Sequence, residues 1–179
     1  MASLVKITAI ALLLVGSQTL ASPDSENDHF APLLGTWHVE ARRLQRDGKT
    51  WVSSEHPAEW RFYRILDDQA IQDDWIDPAP HIDVSKGART FGTNIRIYNS
   101  ELEAWEMAWI ATTARKALTF TATFADGEIV MRALGVTPER RNIFHNFTAN
   151  SFSWRQEWTF DGGESWTPVV YMEATRTAE

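Results

Sequence analysis

From Phe152 to Phe160 the chain alternates strictly, with Phe152, Trp154, Gln156, Trp158 and Phe160 on one face and Ser153, Arg155, Glu157 and Thr159 on the other. An Asp161-Gly162-Gly163 corner follows, and a second alternating run continues to Arg176. Period two on both sides of an Asp-Gly turn specifies a β-hairpin. A strand with one solvent face does not need large or charged groups on both sides. This one belongs to a closed wall with something packed on each face. One register points Arg155 and Glu157 inward, as the polar part of a cavity. The other points Trp154 and Trp158 inward, as core. The first is the reading adopted here, with the apolar face competing for the interior.

The rest of the chain repeats the pattern. From Gly35 onward no run sustains a 3.6-residue period, and short alternating segments are separated by turn signals such as Asp47-Gly48, Asp67-Asp68, Asn99-Ser100 and Asp126-Gly127. Regular short strands joined by hairpin corners imply an all-β fold, a sandwich or a barrel. Sequential hairpins without long crossovers favour an antiparallel up-and-down barrel of about eight to ten strands, whose closure removes exposed edges. A β-sandwich is the alternative.

Residues 1–21 read as a secretory signal peptide. A short n-region carries Lys6, an apolar run spans Ile7 to Val15, and Thr19 and Ala21 precede a cut before Ser22. A retained N-terminal anchor is the competing reading. The expected organisation is therefore signal peptide 1–21, lead-in 22–34, with Phe30 to Leu34 as a short apolar plug, and one β-barrel domain 35–179. The expected location is secreted or periplasmic, with no membrane span in the mature chain. The chain has no cysteine, so packing and closed hydrogen-bond ladders must hold the domain together. A net charge of −7 and the lack of a basic patch make nucleic acid a poor partner. Oligomeric state is not legible.

At Gly35-Thr36-Trp37, after the short apolar turn, the chain resembles the lipocalin and wider calycin barrels. Arg96-Ile97-Tyr98-Asn99, Trp105-Glu106-Met107-Ala108-Trp109 and the Asp161-Gly162-Gly163 hairpin are similar to lipocalin-like domains of exported bacterial proteins. The resemblance implies that Trp37 packs across the closed end of the barrel beside an arginine from a late strand, either Arg155 or Arg176. Thr159 to Trp166 also resembles an Asp-box, a hairpin in which the aspartate bonds turn amides. Here it is read as turn chemistry.

The five histidines are scattered and the acidic pairs lack a calcium-loop pattern, so no metal is expected. There is no nucleophile elbow, phosphate loop or dinucleotide fingerprint, so no cofactor is expected either. Nine tryptophans and nine phenylalanines suit both a β core and the walls of a ligand cavity. The expected function is binding of a small hydrophobic or aromatic molecule inside the barrel. Trp60, Trp109 and Phe120 are candidate walls. Asn94, Arg96 and Tyr98, sharing one strand face, are candidate polar contacts, as are Arg155, Tyr171 and Glu173. The alternative is a cofactor-independent isomerase, cyclase or lyase. It would use His145 or Glu157 as acid/base, with arginine or tyrosine stabilising developing negative charge.

Overall fold

The computed structural model of the chain describes residues 27–177. Eleven strands follow one another: β1 (Gly35–Leu44), β2 (Trp51–Ser53), β3 (Ala58–Ile65), β4 (Ala70–Asp77), β5 (Thr90–Asn99), β6 (Ala104–Ala111), β7 (Ala117–Ala125), β8 (Glu128–Ala133), β9 (Glu139–His145), β10 (Ser151–Thr159) and β11 (Thr167–Arg176). Each strand from β3 to β11 pairs antiparallel with the next, β3 returns to β1, and β11 also pairs with β1. The result is a closed ten-strand barrel of the lipocalin/calycin type, with β2 as a short flap on β1. Closure leaves the ten wall strands without an open edge.

A 3-10 turn, Ala31–Leu33, plugs one end of the barrel. Phe30 and Leu33 are fully buried, and Trp37 Nε1 donates to the Leu33 carbonyl at 2.6 Å. The lead-in is anchored as well: Asp28 pairs with Arg64, and the His29 ring stacks on Phe124 at 4.6 Å. The signal-peptide assignment lies outside the described residues, as does the first part of the lead-in.

Alternation decides what faces inward. Trp37 and Val39 on β1, Trp60 and Phe62 on β3, Met107 on β6, Phe144 on β9 and Phe152 on β10 form one aromatic-rich core. Strand β5 inverts the usual pattern. Its inner face carries the buried Asn94 and Arg96, while Phe91, Ile95 and Ile97 on its outer face are 48 %, 44 % and 44 % exposed. Burying such polar side chains is unfavourable unless each finds a partner, so this strand marks the interior as more than a packed core.

Candidate functional site

The hairpin register is settled against the adopted reading. Phe152 and Trp154 lie in the core, and Arg155 and Glu157 lie on the outside of the wall. The physical reason is the asymmetry of burial. Each large aromatic taken out of water contributes about 1.5–3 kcal/mol, whereas an inward Arg–Glu pair would carry a desolvation penalty of several kcal/mol per ion. On the outer face the charges satisfy one another. Arg155 Nε donates to Glu157 at 2.9 Å, its Nη1 to Glu128 at 3.0 Å, and Arg141 Nε to Glu157 at 2.6 Å. The Trp166 ring packs 4.3 Å from the Arg141 guanidinium.

The other outward placements follow from the same periodicity. Val170, Met172 and Ala174 of β11 face the core, so Tyr171 and Glu173 face out. Tyr171 packs on Trp51 with ring centroids 5.0 Å apart and the planes tilted, and Glu173 accepts from Ser153 Oγ at 2.7 Å. His145 shares the outer face with the buried Ile143, because the alternate positions Asn142 and Phe144 point inward. Glu157 and His145 are therefore not in the barrel interior. An acid/base pair there cannot be built from them.

The interior contains a cavity of about 570 Å³, open at the end opposite the plug. Trp60, Trp109, Phe120 and Asn94 line it, as do Trp75 and Trp154. Trp60 and Trp75 meet edge to face at 5.3 Å, and Trp60 and Trp154 at 6.3 Å. The Trp109 indole lies against Gly92, where an added Cβ would fall 2.2 Å from the ring. Only glycine at this position lets Trp109 lie flat on the wall.

Arg96 sits below the cavity, between it and the plug. It is 1 % exposed, ion-paired with the fully buried Asp73, and its guanidinium lies 4.4 Å from the Phe30 ring and 5.2 Å from that of Phe62. Burial pulls Arg96 down to about 9, which leaves it charged at neutral pH. The second Asp73 oxygen, Oδ1, accepts from Trp60 Nε1 at 2.7 Å, so the pair orients a cavity tryptophan. Tyr98, one inward position nearer the plug, packs edge to face on Trp105 at 5.8 Å and does not reach the cavity.

The polar groups on the wall are distributed unevenly. Asn142, Gln156, Val170 and Arg43 form one transverse row across β9, β10, β11 and β1. Three of them, Asn142, Gln156 and Arg43, line the cavity, and Arg140 sits one inward position above Asn142 on β9. Trp158 Nε1 donates to Gln156 Oε1 at 3.1 Å, and Gln156 Nε2 to Asn142 Oδ1 at 3.0 Å, so the amides are held in one orientation. The facing wall, β4 to β7, presents Trp75, Trp109, Leu118 and Phe120. Among the described residues, two polar atoms of lining residues have no protein partner, Asn94 Oδ1 and Trp154 Nε1, and both are covered rather than exposed to the cavity. They sit on strands five apart in the ten-strand ring, on opposite sides of the cavity.

Trp75, Trp154, Gln156, Asn142, Arg43 and Arg140 were not among the residues expected at the site. The signal for the β9 and β10 members was their period-two phase with Phe144 and Phe152. The arginines share the inward phase of their strands, Arg140 with Phe144 and Arg43 with Trp37 and Val39, but a charged side chain at a strand end is read from sequence as a solvated one. Among the described residues no cluster of three or more metal-ligating side chains occurs, and no helix is long and apolar enough to cross a membrane.

No protein-family model and no curated protein matches this sequence. Solved structures do resemble the fold. An S-type phycobiliprotein lyase, CPES, from Guillardia theta superposes with a TM-score of 0.57 at 9 % identity, covering 86 % of this chain and 93 % of that one. Rv2717c from M. tuberculosis superposes with a TM-score of 0.55 at 11 % identity, covering 83 % and 95 %. At these identities the likeness carries the barrel fold.

Proposed function

We propose that this protein binds a small, largely aromatic molecule inside the barrel. The observation that carries this reading is the open cavity of about 570 Å³, walled by four tryptophans. Its size falls in the range of small-molecule sites, about 300–1,000 Å³. That one neighbour is described as a lyase shows what such a barrel can host and goes no further.

Titration with N-phenyl-1-naphthylamine tests the reading. Saturable quenching of tryptophan emission, with a rise in thermal midpoint, is the expected result. Absence of both would end it.

Export is part of the same proposal and rests on the Met1–Ala21 pattern. Cell fractionation followed by N-terminal sequencing should find a mature chain beginning at Ser22. An intact Met1 in the cytosolic fraction would contradict it.

A further inference from the structure

Building on the reading above, we infer that the ligand is an aromatic anion, seated with its acidic group at the mouth between Arg43 and Arg140. The two arginines line the cavity on the β9–β1 side, in a protein whose net charge is −7. Among the described residues neither makes an ion pair or a side-chain hydrogen bond, whereas Arg61, Arg64, Arg96, Arg141 and Arg155 all pair with carboxylates. Two unengaged cations at the mouth of an acidic protein's cavity form a binding site for negative charge.

The surroundings set the orientation. Below Arg140 and level with Arg43 the same wall carries Asn142 and Gln156, and the facing wall is aromatic, so a planar molecule would lie with its ring against Trp75 and Trp109. Asp77 stands at the mouth on the β4 side, across the ring from Arg140. It would repel an acid placed on that side, two strands from Arg43, and direct it toward Arg140. A guanidinium fork engages a carboxylate or sulfonate through paired charge-assisted hydrogen bonds, which an ordinary surface charge does not supply.

A matched pair of probes separates charge from shape. 8-Anilinonaphthalene-1-sulfonate is N-phenyl-1-naphthylamine with one added sulfonate. Both are titrated into the full-length protein and into the Arg43→Gln/Arg140→Gln variant, following tryptophan quenching. The thermal midpoint of the variant reports its fold, and the single variants are measured alongside should the double one be unstable. The double substitution should weaken the sulfonate by about tenfold or more, the equivalent of one charge-assisted contact. It should leave the neutral probe within about twofold. Sulfonate binding to the unmodified protein should also weaken with added salt. If both probes bind but the variant holds the sulfonate as well as the parent does, this inference fails and the cavity reading stands. If neither probe quenches the parent protein, the cavity reading fails and takes this one with it.

Discussion

The Arg176 guanidinium lies 4.0 Å from the Trp37 ring, at the plugged end of the barrel. It also donates from Nη1 to the Leu34 carbonyl at 2.6 Å and from Nε to the Ala149 carbonyl at 2.8 Å. One side chain from the last strand thus ties together the first strand, the plug and the β9–β10 loop. It closes the question of which late arginine accompanies Trp37: Arg155 pairs on the outer wall instead.

The latch makes Gly35 a sensitive position. Its φ is +116°, and an added Cβ would fall 2.5 Å from Arg176 Nη1. Gly35→Ala should destabilise the fold by about 1–3 kcal/mol through backbone strain alone, read from urea unfolding at equilibrium. Arg176→Lys should cost about 1–2 kcal/mol, because an ammonium cannot both lie over the indole and reach the carbonyls. A shift in midpoint of either variant too small to resolve would show that the latch is dispensable.

Beneath the cavity, Asp73 and Arg96 depend on each other. Asp73→Ala leaves a buried guanidinium without a counter-ion and should cost about 3–5 kcal/mol. Replacing both, as Asp73→Leu/Arg96→Met, should recover part of that loss, since a packed apolar pair avoids desolvating two ions but leaves Trp60 Nε1 without its acceptor. Denaturant titration of the parent, Asp73→Ala, Asp73→Leu, Arg96→Met and the double variant decides the matter; additive losses would mean that the pair is not coupled.

Asp161 predicts a pH dependence. Hydrogen bonds from the Ser165 side chain, the Ser165 amide and the Thr159 hydroxyl hold its carboxyl well below the usual carboxylate range. A group depressed in the folded state contributes stability that is complete above its unfolded value of 3.8 and is lost as pH falls through the folded value. Asp161→Asn should therefore be less stable than the parent at neutral pH, with the difference shrinking below about pH 4. Urea midpoints measured from pH 7 to pH 2 would show it, and a difference that grows on acidification would contradict it.

Much of the architecture was legible because it rests on period two and turn chemistry. The Asp161-Gly162-Gly163 corner and the plug at Phe30–Leu34 can be read residue by residue. The site was legible in part, for a physical reason. A strand carrying Trp154 and Trp158 on one face and Arg155 and Glu157 on the other has two self-consistent registers. The choice depends on the acidic and basic neighbours that β8 and β9 bring alongside, Glu128 and Arg141. Those pairings are long-range and leave no local trace. By contrast Asn94 and Arg96 stand in phase with no apolar residue but Tyr98, and the partner that holds Arg96, Asp73, comes from the adjacent strand.

The inward and outward sets can be separated by substitution. Gly92→Ala would drive a Cβ into the Trp109 ring and push the indole into the cavity. It should weaken aromatic ligands by about tenfold, close to 1.4 kcal/mol. His145→Ala and Glu157→Ala, on the outer face, should leave affinity within about twofold. A larger loss in the outer variants than in Gly92→Ala would place the ligand outside the barrel.

The most direct measurement follows the indole Nε1–H resonances of the nine tryptophans by heteronuclear NMR while an aromatic anion is added. Trp60, Trp75, Trp109 and Trp154 line the cavity, and their resonances should shift together. Trp37, bonded to Leu33 at the plug, and Trp51, packed on the outer face, should stay in place. Shifts confined to Trp51 and Trp166, or no shift at saturating ligand, would contradict a binding site inside the barrel.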